Sequence, residues 1–219
     1  MPRLLQVFGQ SVYQGSSTRN SIALTFDDGP SEATLRLLDY LAQESIRASF
    51  FQCGMNILRH PAIARTVNEA GHEIGNHTFS HPRLCPWPGQ KPFLKSASFI
   101  YNEFSRTQDI IAAEIGLRAK LMRLPYGLGW FGVPLAQHRL GLLGVMWTVI
   151  GHDWEWNAER IASFVLQKAA PGGIVCLHDG RDIQAAPNVT PMLDAVRQIV
   201  PILKDRGYTF ETVTELLKP

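Results

Sequence analysis

The sequence predicts a parallel α/β sheet or barrel. Short apolar runs alternate along the chain with helix-like segments, and several of these runs are continuously apolar. Continuous apolar character is typical of strands that are buried on both faces of a parallel sheet. Regular alternation of strands and helices is typical of βαβ units. Seven strand candidates are found, which is close to the number of strands in an α/β barrel. They lie at 22–28, 48–54, 72–78, 121–125, 145–150, 173–179 and 209–213.

Length and composition indicate one folded domain. The chain has 219 residues, of which 45% are hydrophobic and 18% charged, which excludes disorder as the default state. We therefore expect a single domain over residues 1–219 with a sizeable core. The net charge of +2 gives no reason to expect a nucleic acid or an anionic membrane as partner. No apolar run is long enough to span a bilayer.

The N-terminal segment and the cysteines bear on localisation and assembly. The first residues lack the apolar core of a signal peptide. We expect either a cytoplasmic protein or, if a leader was removed, a secreted or cell-envelope protein. Cys53, Cys85 and Cys176 are an odd number without metal-ligand spacing, so a disulfide framework is not expected. Nothing in the sequence signals oligomerisation, and a monomer is the default expectation.

Start and stop signals place helices between the strands. Ser31 can cap a helix on which Leu35, Leu38 and Leu41 share one face. Pro61 suits the first position of a further helix, which is expected to end near residue 71.

Three longer helices are predicted at 96–115, at 157–169 and from residue 190 onward. Gly116 stops the first of them, and Pro201 kinks or ends the last. The proline-rich loop 82–95 follows the third strand and contains Trp87. This loop either shapes a substrate groove or uses its aromatic side chain only as an anchor.

Chemically capable side chains gather at the C-terminal ends of the apolar runs. In a parallel barrel these ends open on one face, where active sites are built. The pattern therefore predicts an active site on that face. The residues concerned, in chain order, are Asp27, Asp28, His77, His81, Arg123, Asp153, His178 and Asp179.

Asp28, His77 and His81 are a candidate metal site. Two imidazoles and one carboxylate suit Zn²⁺ and leave a coordination position for water. The His-x-x-x-His spacing puts both rings on one side if the chain turns helically there. The same ligand types suit Fe(II). A structural alternative makes both histidines capping or core residues.

Asp27 and Asp28 are adjacent, so a regular strand would send their side chains to opposite faces. Both reach one site only if the strand ends and turns at the following Gly-Pro. Two nearby carboxylates stay ionised together only beside cations, which a metal and Arg123 would supply. The alternative is a turn that merely caps the next helix.

His178 is the candidate for proton exchange near neutral pH. Its alternative is a hydrogen-bonded core histidine. Asp179 is assigned a structural role, capping the turn or holding a neighbour. His152 precedes the Asp153-Trp154 pair and is assigned a packed or exposed structural role.

Five stretches together resemble the polysaccharide deacetylases of carbohydrate esterase family 4, the NodB homology domain. Each stretch lies at a strand end, and the five occur in the family's order. The resemblance implies a distorted (β/α)7-type barrel, the NodB or glycoside hydrolase–deacetylase fold. Where the family usually has leucine in its last motif, this chain has Cys176. The stretches are TFDDGP at 25–30, HTFSH at 77–81, RLPY at 123–126, DW at 153–154 and LHD at 177–179.

The resemblance implies a role for each matching residue. Asp28, His77 and His81 would hold a divalent metal, usually Zn²⁺, with Co²⁺, Ni²⁺ or Mn²⁺ as alternatives. Asp27 would be the general base that deprotonates water. His178 would be the general acid that protonates the leaving amine, since an expelled amine needs a proton.

Supporting roles follow from the same resemblance. Arg123 would position Asp27 and keep it ionised, and Asp153 would orient or tune His178. The backbone N–H of Tyr126 would help to hold the oxyanion. The expected substrate contacts are Tyr126, Trp154, Cys176 and Leu177.

The implied activity is metal-dependent removal of N-acetyl groups from an N-acetylglucosamine-containing polymer or oligomer, chitin- or peptidoglycan-like. An O-acetyl xylan esterase or an amino-sugar deformylase would use the same site. Two readings from other classes stay open. One is a non-catalytic glycan-binding module on this fold. The other is an Fe(II) oxygenase, although such sites usually lie on antiparallel scaffolds and need no adjacent aspartate base.

Overall fold

A curled parallel sheet forms the centre of the computed structural model, which describes residues 9–85 and 95–219. All strand pairings are parallel, in the order β1-β6-β5-β4-β3-β2-β8-β7, and β9 also pairs with β2. The predicted fold class is confirmed as a parallel half-barrel with surrounding helices. The strands are β1 (Ser11–Val12), β2 (Ser21–Asp27), β3 (Ser49–Gln52), β4 (Glu73–Asn76), β5 (Leu121–Met122), β6 (Leu143–Val145), β7 (Val149–Ile150), β8 (Gly173–His178) and β9 (Thr209–Phe210).

The helices begin and end largely where the capping signals predict. Ser96 accepts a hydrogen bond from the Phe99 N–H at the start of α4, and Gly116 closes that helix with a left-handed φ of 82°. Asn157 caps α6 in the same way. The helices are α1 (Glu32–Gln43), α2 (Gly54–Arg59), α3 (Pro61–Glu69), α4 (Ala97–Ile115), α5 (Val133–Leu140), α6 (Ala158–Lys168), α7 (Thr190–Asp205) and α8 (Val213–Leu216).

One helix expectation is wrong in detail, and one of the two alternatives for Pro201 is excluded. Leu35 is 43% exposed, and the buried leucines of α1 are Leu37, Leu38 and Leu41 instead. These three lie on one side of the helix, whereas Leu35 is two positions before the first of them and points away. Helix α7 continues through Pro201 to Asp205, so this proline does not end it.

The strand candidate at 145–150 is two strands in the structure, β6 and β7. The carbonyl oxygens of Val145 and Met146 accept hydrogen bonds from the Arg123 guanidinium, at 3.1 and 3.3 Å. These carbonyls bind a side chain in place of a neighbouring strand, so the ladder is interrupted here. The two-residue strand β1 has too little sequence to carry a pattern, and the sequence did not predict it.

Strand β2 pairs with β3, β8 and β9 and is buried at all its residues. Ile22, Leu24 and Phe26 pack in the main core, and Ala23 packs in a second cluster inside the curl. Alternation along the strand therefore puts Thr25 and Asp27 on the inner side, towards the C-terminal end. No helix in residues 9–85 or 95–219 combines the length and apolarity that a bilayer crossing needs.

Candidate active site

The end of β2 turns both aspartates of the Asp-Asp pair towards one site. Asp28 has a left-handed φ of 73°, which breaks the strand alternation immediately after Asp27. Both side chains are buried. The predicted convergence of the two carboxylates is therefore what the structure shows, and its cause is this one left-handed residue.

Asp28, His77 and His81 form a compact cluster at the ends of β2 and β4. Asp28 Oδ1 lies 3.3 Å from His77 Nε2 and 3.1 Å from His81 Nε2. One ligand atom from each of the three residues lies within 4.8 Å of the others. His81 reaches the cluster through a second left-handed residue, at φ 49°. Backbone geometry that non-glycine residues rarely adopt is typical of functional sites.

The outer nitrogens of both imidazoles are held by acceptors. His77 Nδ1 lies 2.8 Å from the Arg123 carbonyl oxygen, which can only accept. His81 Nδ1 lies 2.7 Å from Asp182 Oδ1. Each Nδ1 therefore carries the proton, and each Nε2 directs a lone pair at the cluster when the ring is neutral. Metal-binding histidines commonly have such a partner.

The donor set fits a divalent cation. Burial alone would raise the pKa of Asp28, but the charge of His81 and the contacts with both imidazoles hold that pKa well below its usual range. Burial disfavours the charged form of His81, but Asp28 and Asp182 raise its pKa to about 10. Without an ion, a proton on His81 balances these carboxylates, and a metal ion would replace it.

Asp182 is also part of the site, although no motif in the sequence points to it. Its carboxylate holds His81, its N–H donates to Asp28 Oδ2 at 2.8 Å, and it accepts a hydrogen bond from the Tyr126 hydroxyl at 3.1 Å. It also has a left-handed φ of 49°. It therefore fixes the orientation of two candidate metal ligands.

Replacing Asp182 with Asn should weaken metal affinity by about 10- to 100-fold, as is usual for residues that support a ligating histidine. The expected cause is lost orientation and basicity of His81. Competition with a chromogenic chelator measures the change. The exposed pair partner Asp194→Asn is the control and should leave affinity unchanged. Equal affinity in the Asp182 variant and the wild type would contradict this assignment.

Asp27 is paired with a buried arginine. Arg123 Nη1 donates to Asp27 Oδ1 and to the Thr25 hydroxyl, both at 2.7 Å. Arg123 is fully buried, and its guanidinium lies 4.1 Å from the Phe51 ring centroid. The guanidinium thus supplies a counter-charge and hydrogen bond for the buried Asp27 carboxylate. Oδ2 of Asp27 remains directed at the cluster, 3.9 Å from His77 Nε2.

His178 ends β8 beside β2, opposite Asp27 in the strand register. Asp153 accepts two hydrogen bonds from it, one from Nδ1 at 2.7 Å and one from the backbone N–H at 2.8 Å. Burial lowers the pKa of His178, but Asp153 outweighs it, with Asp28 and Asp27 adding to the effect, and the pKa rises to about 9. The ring is therefore protonated at neutral pH, with Nε2 left to donate.

A cavity of about 1090 Å³ joins these groups. Tyr126, Trp154 and Cys176 line it, as expected of substrate contacts. Trp154 is 43% exposed, and its ring lies edge-on to His178 at 5.4 Å between centroids. Leu177 does not line this cavity and packs in the main core. The expectation that Leu177 contacts the substrate is therefore wrong. Side chains alternate along β8, so Cys176 and His178 share the inner side and Leu177 faces the other.

The remaining predicted residues have structural partners. Asp179 accepts a hydrogen bond from the Thr34 hydroxyl at 2.6 Å, which agrees with its expected structural role. His152 stacks on Trp156 at 4.5 Å between ring centroids and also borders the cavity. Arg181, which the sequence analysis did not single out, donates to the carbonyl oxygens of Trp154 and Asp153. Trp87 lies outside the described residues.

The curled parallel sheet and the order of the motifs along it define a protein of the carbohydrate esterase family 4 class. The chain belongs to the polysaccharide deacetylase family, whose sequence model matches residues 14–142.

Named relatives of this chain include two bacterial deacetylases. It is 33% identical over 203 residues to peptidoglycan-N-acetylglucosamine deacetylase PgdA of Listeria monocytogenes, covering 92% of this chain and 40% of the relative. The chain thus spans well under half of that protein. It is 31% identical to the chitooligosaccharide deacetylase of Azorhizobium caulinodans, covering 94% of this chain and 99% of the relative.

Solved structures share the fold over nearly the whole chain. The Bc1960 peptidoglycan N-acetylglucosamine deacetylase is 29% identical with a TM-score of 0.82, covering 99% of this chain and 96% of that one. A family pseudoenzyme from Bacillus anthracis, 24% identical, has a TM-score of 0.83, covering 95% of this chain and 69% of that one. The fold alone therefore does not decide activity, and the site residues must carry that argument.

Proposed function

We propose that the chain hydrolyses N-acetyl groups on N-acetylglucosamine-containing polymers or oligomers, of the chitin or peptidoglycan type. The observation that carries the proposal is one cavity in which an arginine-paired Asp27 and an aspartate-paired His178 flank the Asp28, His77 and His81 cluster. The named activities of the relatives support the same substrate class.

The cluster of Asp28, His77 and His81 would hold the metal, and Zn²⁺ suits these ligands best. When bound, the ion supplies Lewis acidity that polarises an acyl oxygen and makes hydroxide available near neutral pH. Asp27 and His178 lie outside this three-residue cluster and are held by Arg123 and Asp153 through Oδ1 and Nδ1. They are therefore left for proton transfer.

The two proton-transfer residues act on different groups, one on the attacking water and the other on the leaving nitrogen. Asp27 Oδ2 accepts the proton of the attacking water while Arg123 holds Oδ1. His178 Nε2 donates a proton to the departing nitrogen while Asp153 holds Nδ1 and stabilises the imidazolium. Amide hydrolysis needs this acid because an amine is a poor leaving group until it is protonated. The backbone at Tyr126, in the 3-10 turn 125–127, is the proposed oxyanion donor.

Other functions of the site are less well supported. An ester or formamide substrate would use the same groups, but an ester makes less use of the acid. A glycan-binding module would need neither the buried Asp27–Arg123 pair nor the His178–Asp153 pair. An Fe(II) oxygenase would need no base beside the metal ligands, and its usual antiparallel scaffold differs from this parallel sheet.

Mass spectrometry of chito-oligosaccharides, peptidoglycan fragments and acetylated xylan, after incubation with the zinc-loaded protein, tests the proposal. We expect losses of acetyl groups from one or both amino-sugar substrates. Loss of acetyl groups from xylan alone would indicate an O-acetyl esterase in place of an N-acetyl hydrolase. No loss from any substrate, with zinc bound, would overturn the hydrolase proposal and favour a binding role.

The pH dependence of kcat/KM should reveal the pairing of His178 with Asp153. His178 acts as an acid, so activity falls as the pH rises through its pKa. Replacing Asp153 with Asn removes the group that raises this pKa to about 9. The alkaline limb should therefore move to lower pH, towards the ordinary histidine value of 6.5. An unmoved alkaline limb would contradict the assignment of His178 as the acid.

A further inference from the structure

Position 176 places a thiol between the two proton-transfer residues. Cys176 Sγ lies 3.4 Å from Asp27 Oδ2, to which it donates a hydrogen bond. Cys176 and His178 are on the same side of β8, and both line the cavity with Asp27. One ligand atom from each of Asp27, Cys176 and His178 lies within 4.8 Å of the others. This second cluster shares no residue with the Asp28, His77 and His81 cluster.

Each member of the second cluster has an atom available to coordinate a metal ion. Asp27 binds Arg123 through Oδ1, so Oδ2 remains on the side of Cys176. His178 binds Asp153 through Nδ1, which leaves Nε2. These existing hydrogen bonds orient the ligands and would not need to break when an ion binds. Support of this kind is what metal sites require beyond the ligands themselves.

The donor types select for a particular class of cation. Thiolate favours soft or borderline ions such as Zn²⁺ and Cd²⁺ over Mg²⁺ or Ca²⁺. The surrounding charge is also favourable, since Asp27, Asp28 and Asp153 are buried carboxylates close to this point. The two clusters adjoin, because Asp27 Oδ2 lies 3.9 Å from His77 Nε2. Neighbouring ions about 3.5–4 Å apart are common in two-metal sites.

We propose that Asp27, Cys176 and His178 form a second metal site for Zn²⁺ or Cd²⁺, and that its occupation inhibits the enzyme. The binding rests on the geometry alone, and the inhibition rests on the proposed function. When the ion binds, the Cys176 thiol and the His178 imidazolium each release one proton to solvent, and metal–sulfur and metal–nitrogen bonds form. No oxidant or reductant takes part.

Inhibition follows from which atoms become ligands. Asp27 Oδ2 could no longer accept a proton from water once it coordinates a cation. His178 Nε2 could no longer donate a proton to the leaving nitrogen. The chain would thus need its first metal ion for activity and lose activity when a second ion binds.

Titration of the full chain with Cd²⁺ tests the site without reference to activity. Equilibrium dialysis counts the bound ions, and ultraviolet absorption detects the thiolate-to-cadmium charge-transfer band. We expect two equivalents in the wild type, with the band. We expect one equivalent and no band in Cys176→Val, and one equivalent with the band in Asp28→Ala. A single equivalent in the wild type, or a band that persists in Cys176→Val, would overturn the proposal.

Matched variants control for the other thiols and for folding. Cys53→Ala and Cys85→Ala remove buried thiols that belong to no three-ligand cluster in the described parts of the chain, so both should keep the band. Retention of the first equivalent shows that Cys176→Val is folded. If Cys176→Val loses both equivalents, Cys176→Ser takes its place, since serine keeps the size of the side chain. Absence of the band in Cys176→Ser supports the proposal, and its presence overturns the proposal.

Inhibition by zinc tests whether occupation of the second site stops deacetylation. The Zn²⁺ concentration that halves deacetylation should be at least tenfold higher in Cys176→Val than in the wild type, each compared with its own activity at one equivalent. An equal concentration in both proteins would remove the inhibitory role. If neither protein hydrolyses any substrate, the proposed function fails, whereas the cadmium result still decides whether the second site exists.

Discussion

Replacing Asp27 with Asn should lower kcat for deacetylation by about 10²–10⁴-fold, the usual contribution of a positioned general base. The amide keeps the size of the side chain and can still bind Arg123, but it cannot accept a proton from water. One equivalent of zinc should remain bound, because Asp28, His77 and His81 are unchanged. Steady-state kinetics together with metal analysis measure both quantities on the same samples.

The combination of lost turnover and retained metal distinguishes a base from a ligand. Asp39→Asn, on the exposed side of α1, is the matched control and should behave as the wild type. Loss of zinc from the Asp27 variant would instead assign this carboxylate to the metal. Undiminished turnover would remove Asp27 from the mechanism.

Replacing His178 with Ala should reduce hydrolysis of an N-acetyl substrate by about 10²–10⁴-fold and hydrolysis of an O-acetyl ester by much less. The physical reason is the leaving group, since an amine must be protonated before it departs and an alcohol depends on this less. Parallel kinetics on an acetamido sugar and an acetyl ester give the ratio directly.

The ratio is more informative than either rate because misfolding would lower both rates equally. His138→Ala, at an exposed position of α5, is the matched control and should change neither rate. An equal loss on amide and ester would contradict the assignment of His178 as the acid for the leaving nitrogen.

The sequence was sufficient to predict the parallel fold and the site residues that lie in motifs. The parallel fold followed from continuous apolar runs, and the convergence of Asp28, His77 and His81 followed from their positions at strand ends. Asp182 could not be found this way. It reaches His81 only because the loop after β8 comes back over the end of β2, and no spacing in the chain encodes that approach.

Each error also has a specific structural cause. The predicted strand at 145–150 is interrupted because Arg123 takes two of its carbonyl groups, a long-range contact that periodicity does not show. Leu177 was assigned to the substrate by resemblance, whereas simple strand alternation from His178 puts it in the core. Strand alternation is therefore the better guide for neighbours of a motif residue.

We expect hydrolysis to depend on one metal ion held by Asp28, His77 and His81. The most direct test strips the protein with a chelator and follows deacetylation while Zn²⁺ is returned in fractions of an equivalent. Activity should rise in proportion to zinc up to one equivalent per chain and should not rise in Asp28→Ala. Full activity in the stripped protein, or equal recovery in Asp28→Ala, would contradict it.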